Sequence, residues 1–247
     1  MQTRIYADKI EIDNNSTKEF WENRANNINN LQTVLLGSDK TGIEQNTRNE
    51  HEKLIVESVV KQIQNPRILD IGCGIGRWAE NLINQFDSYT GVDFSEGFIN
   101  FASEKFANYS NIKFYNNSIL NLDKEILDSK FNFIICTGVL MYVNDTNLSK
   151  FFKTLKQMTN TCNIQNIYIQ ESISIMENRL TLNQFESKDL KTNYNAIYRT
   201  KQEYEEYFKT NKFDIIKTDL LLDNKSGARE ETNAQYWILK GYNYDRK

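Results

Sequence analysis

The stretch Ile68-Leu69-Asp70-Ile71-Gly72-Cys73-Gly74-Ile75-Gly76 is the most informative part of this chain. Its apolar start predicts a short buried strand, and its three alternating glycines predict a tight turn into a helix. Glycine has no Cβ, so the backbone can turn sharply there and approach a ligand closely. In open α/β sheets, ligands bind outside the carboxyl ends of the strands. The stretch therefore predicts a strand, a ligand-binding loop and a helix in succession.

Two aspartates make this glycine pattern more specific. Asp93 ends a second predicted strand, YTGVD, and follows Gly72 by 21 residues, a position from which a carboxylate can accept hydrogen bonds from both hydroxyls of a ribose. Asp70 comes before the loop, where it could face the amino group of a zwitterionic ligand. The fingerprint of NAD-dependent dehydrogenases places its third glycine one residue later and lacks an acid two residues before the first glycine. The pattern thus disfavours a dinucleotide.

Around this unit, segments of strand and helix periodicity alternate. Strands are predicted at 67–71, 89–93, 112–116, 131–138, 166–173, 213–222 and 234–242. Helices are predicted at 17–31, 47–63 and 77–86, after Ser95, at 148–158, and after a capping box formed by Thr200 and Glu203. We expect an α/β, Rossmann-like fold with seven mostly parallel strands, an antiparallel terminal β-hairpin, helices on both faces and an N-terminal helical cap.

No repeat or linker divides the chain, so we expect one domain across residues 1–247. Within it, residues 1–63 would form the helical cap and 64–173 the cofactor-binding core. Residues 200–247 would supply the last helix and the hairpin. The connection at 174–199 is long for a strand-to-helix link, which is typical of a lid or binding loop.

Four segments resemble the motifs of class I S-adenosylmethionine-dependent methyltransferases. They are LDIGCGIGRWAENL (69–82), GVDFSEGFINFA (91–102), NNSILNL (116–122) and FNFIICTGVLMYVND (131–145). The resemblance covers about residues 60–245 and implies S-adenosylmethionine as cofactor. The binding residues that it and the helical cap imply are Asp70, Gly72, Cys73, Gly74, Gly76, Asp93, Phe94, Ser95, Ser118, Ile119, Thr137, Gly138, Tyr142, Trp21 and Arg24. One position departs from the family, because Ser118 stands where an acid usually precedes Ile119 and contacts the adenine.

Several side chains are candidates for handling the acceptor. Glu171, near the end of the fifth strand, and His51 could each act as a general base; Glu171 could instead be solvated, and His51 could be packed as part of the core. Arg24 and Arg48 could clamp a carboxylate or an acidic substrate, or extend into solvent. The 174–199 segment adds Tyr194, Tyr198 and Arg199 as substrate-binding candidates, with Tyr142 from the fourth motif and with Tyr198 also a catalytic candidate.

These observations predict methyl transfer to a small polar acceptor at oxygen. The segments FWENRA (20–25) and AIYRTKQEYEEYF (196–208) resemble methyltransferases of bacterial surface-polysaccharide gene clusters, which implies a sugar, nucleotide-activated or phosphoryl acceptor, phosphoramidate included. N-methylation of an amino sugar or other small amine is an alternative, and a non-catalytic cofactor-binding subunit is another.

Composition narrows the function classes. The 247 residues are 39% hydrophobic and 26% charged, and the net charge is −3, so no broad basic surface is expected for nucleic acid. Cys73, Cys136 and Cys162 lack metal-ligand spacing and His51 is the only histidine, so we expect no metal site. No signal peptide or membrane span is evident. We expect a cytoplasmic monomer or homodimer.

Overall fold

A computed structural model describes residues 3–28, 31–35, 41–188, 190–221 and 230–241. Its helices are α1 (Asn14–Ala25), α2 (Ile43–Val60), α3 (Arg77–Asn81), α4 (Glu96–Lys105), α5 (Lys124–Leu127), α6 (Asp145–Thr161) and α7 (Lys201–Thr210). Its strands are β1 (Arg4–Tyr6), β2 (Arg67–Ile71), β3 (Ser88–Asp93), β4 (Ile112–Asn116), β5 (Phe133–Thr137), β6 (Asn166–Ser174), β7 (Leu180–Ser187), β8 (Thr192–Tyr198), β9 (Phe213–Leu220) and β10 (Thr232–Gly241). Two 3₁₀ turns cover Leu31–Thr33 and Leu140–Tyr142.

The central sheet has seven strands in the order β4-β3-β2-β5-β6-β10-β9. Strands β2 to β6 pair in parallel, whereas β10 runs antiparallel to both β6 and β9. The strand order reverses at β2, which places a crevice at the carboxyl ends of β2 and β5. The predicted Rossmann-like fold with an antiparallel terminal hairpin is confirmed.

Two apolar cores cover the faces of this sheet. One packs α6 and α7 against it through Phe152, Leu155 and Phe208, and the other packs α2 and α3 through Val56 and Trp78. The capping predictions hold, because Ser95 accepts a hydrogen bond from the Phe98 N–H and because Thr200 and Glu203 form a full capping box. These caps fix where α4 and α7 begin.

The N-terminal cap differs from its prediction. Helix α1 ends at Ala25, so Ile28 and Leu31 lie beyond it. Outside the cap, α3 is also shorter than the helix predicted at 77–86. The asparagines from Asn26 onward disfavour helix, because their side chains compete for backbone hydrogen bonds. A 3₁₀ turn at 31–33 follows and brings Val34 and Leu35 toward the carboxyl edge of the sheet.

The 174–199 connection is largely β structure. Strands β7 and β8 pair antiparallel, and β1 adds to β7 with Arg4 opposite Leu182, which makes a second, three-stranded sheet. This small sheet and α1 share a third apolar core that includes Phe20, Trp21 and Tyr194. The segment therefore covers the carboxyl edge of the main sheet as an ordered hairpin, and we keep its role as a substrate lid as a proposal.

Candidate active site

The glycine loop that follows β2 has left-handed backbone at all three of its glycines, and the first two line a cavity. Gly72 has a φ of +74° and Gly74 a φ of +52°. A Cβ at Gly72 would overlap the Val139 side chain, and one at Gly74 would lie 2.9 Å from Val34 Cγ1. Both positions therefore require glycine, and the bare backbone forms part of a cavity wall.

Asp93 lies beside this loop with both of its carboxylate oxygens engaged. Oδ2 accepts the Gly74 N–H at 3.0 Å, and Oδ1 accepts the Ser95 N–H at 2.9 Å. Burial raises the pKa of Asp93 to about 6, although these two N–H donors oppose the rise. Each carboxylate oxygen keeps a further lone pair, so Asp93 can still accept hydrogen bonds from a ligand diol.

The loop and Asp93 border a cavity of about 410 Å³, which is within the range of about 300–1,000 Å³ typical of ligand pockets. Eleven of the fifteen predicted cofactor residues line it: Trp21, Gly72, Cys73, Gly74, Asp93, Phe94, Ser118, Ile119, Thr137, Gly138 and Tyr142. Its wall is mainly apolar and aromatic, with the Trp21 and Tyr142 rings meeting edge to face at 5.3 Å. The glycine loop, the Asp93 carboxylate that can accept hydrogen bonds from a diol, and the aromatic wall suit one kind of ligand. It is a nucleoside with a short polar tail, such as S-adenosylmethionine.

Asp70 and Gly76 lie behind the loop and do not line the cavity. The Tyr89 hydroxyl donates to Asp70 Oδ2, whereas Asp70 Oδ1 is buried without a hydrogen-bond partner among the described residues. Burial raises the pKa of Asp70 to about 7. Because Asp70 does not line the cavity, its contact with a ligand amino group stays a prediction. Gly76 instead allows close packing against Phe106 and Phe114.

Arg24 and Ser95 hold the cap in place and do not line the cavity. Arg24 donates from Nε to the Thr33 carbonyl at 2.8 Å and from Nη2 to the Gln32 carbonyl at 2.6 Å. The Ser95 hydroxyl donates to Glu22 Oε2 at 3.0 Å, which joins α4 to α1. The structure therefore gives no support to Arg24 as a clamp for the cofactor carboxylate, because its guanidinium is used to position the 31–35 turn.

A second cavity of about 140 Å³ adjoins the first. The two cavities share six wall residues: Val34, Leu35, Arg77, Thr137, Gly138 and Tyr142. Four of the predicted substrate residues line the second cavity, namely Arg48, Tyr142, Tyr194 and Tyr198. The Tyr142 and Tyr194 hydroxyls lie 2.7 Å apart, and Tyr198 extends this hydrogen-bonded chain. Burial raises the pKa of Tyr142 and of Tyr194 above the usual value for a phenol, so both remain neutral.

Glu171 lies outside both cavities and supports the wall from behind. Its carboxylate accepts the backbone N–H groups of Val139, Leu140 and Met141 at 2.9, 2.8 and 3.1 Å. Burial raises the pKa of Glu171 to about 7 against the effect of these donors. With its oxygens committed to the turn, Glu171 lacks the access to the cavities that a general base would need.

His51 and Arg199 also lie away from the cavities. His51 is on the exposed side of α2, so neither its predicted catalytic role nor its alternative as a packed core residue has support in the structure. Arg199 is fully buried and donates to Asp145 Oδ1 and to the Leu140 and Val143 carbonyls, at 2.7 to 2.9 Å. It holds the turn after β5, and we do not assign it to the acceptor.

Arg77 and Gln170 are among the polar wall residues that the sequence analysis did not identify. Arg77 follows the third glycine and donates to Glu52 at 2.9 Å and to Thr137 Oγ1 at 3.1 Å. Gln170 lies on β6 next to Glu171, and strand alternation turns Gln170 toward the second cavity while Glu171 faces away. The alternation of side chains along β6 could have predicted this, because Gln170 and Ser172 lie on one face of the strand and Glu171 on the other.

Metal-binding clusters and membrane-spanning helices are absent from the ranges that the structure describes. No group of three or more His, Cys, Asp or Glu side chains in them could hold a metal ion. No helix in them has both the length and the apolar character needed to cross a bilayer.

Residues 68–161 match the family model described as "Methyltransferase domain". Among curated proteins, phosphoethanolamine N-methyltransferase 1 of Zea mays is 24% identical over 149 residues, which is 60% of this chain and 28% of the maize protein. Malonyl-[acyl-carrier protein] O-methyltransferase of Bacillus cytotoxicus is 32% identical over 93 residues, which is 36% of this chain and 31% of that protein. The chain thus matches less than a third of the length of these relatives.

Solved structures share the fold over most of the chain. Phosphoethanolamine N-methyltransferase 1 of Haemonchus contortus, in complex with phosphoethanolamine and S-adenosylhomocysteine, has a TM-score of 0.69 at 16% identity and covers 95% of this chain and 50% of its own. Magnesium protoporphyrin IX methyltransferase of Synechocystis PCC 6803, with bound S-adenosylhomocysteine, has a TM-score of 0.59 at 15% identity, covering 93% and 95%. The fold is that of the S-adenosylmethionine-dependent methyltransferases, as the motifs predicted.

Proposed function

We propose that this chain transfers a methyl group to a small polar acceptor at oxygen. It has the class I S-adenosylmethionine-dependent methyltransferase fold, and its residues 68–161 match a methyltransferase domain. The observation that carries the proposal is the pair of adjoining cavities with Thr137, Gly138 and Tyr142 in their common wall. One cavity has the features of a nucleoside site, and the other is small and polar. Such an arrangement can hold a donor and an acceptor side by side, which lowers the entropic barrier to reaction.

On the cofactor side, we assign Asp93 to the ribose hydroxyls and the Gly72–Gly74 backbone to the polar tail. Phe94, Ser118 and Ile119 line the same cavity and would border the adenine. Asp70 lies behind the loop with one carboxylate oxygen that has no hydrogen-bond partner among the described residues, and its charge could attract the ammonium group of the cofactor. S-adenosylmethionine, when bound, supplies an electrophilic methyl group on a sulfonium.

On the acceptor side, the residues of the chain position the nucleophile and exclude water. Tyr142, Tyr194 and Tyr198 form a buried hydrogen-bonded chain whose hydroxyls can donate to or accept from an acceptor hydroxyl. Because Tyr142 lines both cavities, its phenol is the group best placed to orient an acceptor toward the donor side. We therefore assign Tyr142, predicted as a binding residue, to handling the reacting group together with Tyr198, the catalytic candidate.

The acceptor class we propose is a sugar, a nucleotide-activated compound or a phosphoryl group of surface-polysaccharide biosynthesis. Its support is the resemblance of FWENRA (20–25) and AIYRTKQEYEEYF (196–208) to methyltransferases of such gene clusters. The second cavity is small, so it suits a compact headgroup, with any remainder of the acceptor extending outward.

N-methylation of a small amine is the second candidate, favoured by one observation. Glu44 lines the second cavity, and a carboxylate there could attract a protonated amine. The maize and nematode proteins named above are N-methyltransferases of phosphoethanolamine by title.

The test uses S-adenosylmethionine carrying a ¹³C-labelled methyl group and a panel of sugar phosphates, nucleotide sugars and amines. We expect S-adenosylhomocysteine release with at least one acceptor, and a product methyl resonance in the O-methyl region of the carbon spectrum. An N-methyl resonance would select the second candidate. Tight S-adenosylhomocysteine binding with no labelled product from the panel or from a cell extract would contradict both and favour a non-catalytic subunit.

A further inference from the structure

Arg48 and Gln170 form a polar pair on the wall of the second cavity. Arg48 on α2 donates from Nη2 to Gln170 Oε1 on β6 at 2.8 Å. Arginine has only donors, so the Gln170 amide must present its oxygen to Arg48, and its Nε2 group points elsewhere. Both residues line the second cavity.

Two donors of this pair are buried and meet no acceptor among the residues that the structure describes. They are Arg48 Nε and Gln170 Nε2. A buried donor without an acceptor is destabilising, and more so when it is charged. Since the two residues are joined by a hydrogen bond, the unpaired donors lie close enough together to serve one ligand group.

The charge of Arg48 is also uncompensated at short range. No carboxylate of the described ranges lies within ion-pair distance of its guanidinium. The acids that influence it from farther away, Glu52 and Glu171, are committed to Arg77 and to the 139–141 backbone respectively. The guanidinium thus keeps its charge available to a ligand.

The rest of the wall suits an anion in part. The Tyr194 and Tyr198 hydroxyls add polar groups, and Leu182 and Phe185 contribute apolar surface. Glu44 is the opposing feature, because its carboxylate lines the same cavity and is half-buried. An anion at Arg48 would therefore have a positive wall residue, Arg48, and a negative one, Glu44, in the same cavity. It would be attracted to the Arg48 side and repelled from the Glu44 side, which fixes its position.

We infer that the second cavity binds an oxyanion of the acceptor, a phosphoryl or carboxylate group, with Arg48 Nε and Gln170 Nε2 as its donors. Two N–H groups of this kind match two oxygens of such a group, and charge-assisted bonds of this type are about twice as strong as neutral ones. The inference rests on the proposed function, because it takes this cavity to be the acceptor site.

The experiment titrates the full chain, saturated with S-adenosylhomocysteine, with inorganic phosphate, acetate or glycerol in a calorimeter. The variants are Arg48→Met, which removes the charge at similar length, and Gln170→Glu, which keeps an oxygen for Arg48 but replaces the free donor with an acceptor. Glu44→Gln is the matched control on the same wall. Thermal unfolding checks that each variant is folded.

We expect at least one of the two anions to bind and glycerol not to bind. Arg48→Met and Gln170→Glu should each weaken anion binding at least tenfold, while Glu44→Gln should not weaken it. Tighter phosphate binding identifies a phosphoryl acceptor, and tighter acetate binding identifies a carboxylate. If Arg48→Met fails to fold, Gln170→Glu alone decides.

The titrations distinguish failure of the oxyanion site from failure of the proposed function. Binding of S-adenosylhomocysteine without binding of either anion, or anion affinity unchanged in Gln170→Glu, would overturn the oxyanion site alone. A wild-type chain that binds no S-adenosylhomocysteine would overturn the proposed function.

Discussion

Glu171 accepts the backbone N–H of Leu140 at 2.8 Å, a bond that ties the middle of β6 to the turn after β5. The Glu171 carboxylate also accepts the backbone N–H groups of Val139 and Met141. That turn supplies Gly138 and Tyr142 to both cavities. A carboxylate for which the sequence suggested catalysis thus satisfies three backbone donors and holds the common wall in shape.

Glu171→Gln should lower the free energy of unfolding by about 1–3 kcal/mol at pH 8. The amide offers one acceptor oxygen and sets its NH₂ group against a backbone N–H. Urea unfolding measures the loss, and Glu186→Gln, at an exposed position on β7, is the control expected to change stability by less than about 0.5 kcal/mol. Unchanged stability with a large fall in kcat would restore Glu171 as a general base.

Asp93→Ala should weaken binding of S-adenosylhomocysteine by about 1–3 kcal/mol, which is roughly fivefold to 150-fold in Kd. The variant removes the proposed acceptor of the ribose hydroxyls. Because Asp93 also accepts the Gly74 and Ser95 N–H groups, a second variant, Asp93→Asn, keeps part of this support. Calorimetry at pH 8 gives the affinities, and a wild-type Kd in the alanine variant would contradict the assigned position of the ribose.

The glycine loop allows a test by paired substitutions. Gly72→Ala places a Cβ against the Val139 side chain and forces alanine into left-handed backbone, so we expect a loss of about 1–3 kcal/mol in stability. In Gly72→Ala/Val139→Ala the overlap is gone and a backbone cost of about 1 kcal/mol remains. Thermal unfolding of both single variants and the double variant gives the coupling. Strict additivity would mean that Val139 is not what excludes a side chain at Gly72.

The sequence was most informative where its signal was local. The glycines from Gly72, the acid at Asp93 and the caps at Ser95 and Thr200 act on backbone a few residues away, so spacing predicts them. The order of the seven strands of the central sheet followed for the same reason, because each of these strands has its own periodicity.

The rest of the site depends on contacts between residues far apart in the chain. Whether Gln170 or Glu171 faces the cavity depends on which face of β6 is covered, and both faces are. Arg24 finds its carbonyl partners only because α1 ends early and the chain turns at 31–33. Strands β7 and β8 are stabilised by pairing with β1 and packing on α1, so the polar 174–199 segment resembled a loop.

The buried Asp70 makes stability depend on pH. Burial raises its pKa from 3.8 to about 7, so between about pH 4 and pH 7 the folded chain holds a proton that the unfolded chain has released. Unfolding then releases a proton, and stability should fall as the pH rises through this window, by up to about 1.4 kcal/mol per pH unit from this group. Above pH 7 the loss is complete and constant.

Asp70→Asn removes this titration while leaving an oxygen to accept the Tyr89 hydroxyl. Its stability relative to wild type should therefore rise between pH 5 and pH 7 and level off above pH 7. Tyr89→Phe deletes the hydrogen bond that lowers the Asp70 pKa, so it should extend the window to higher pH. Urea unfolding of the ligand-free chain at pH 5, 6, 7 and 8 measures all three, and parallel curves for Asp70→Asn and wild type would mean that Asp70 is ionised in the folded chain.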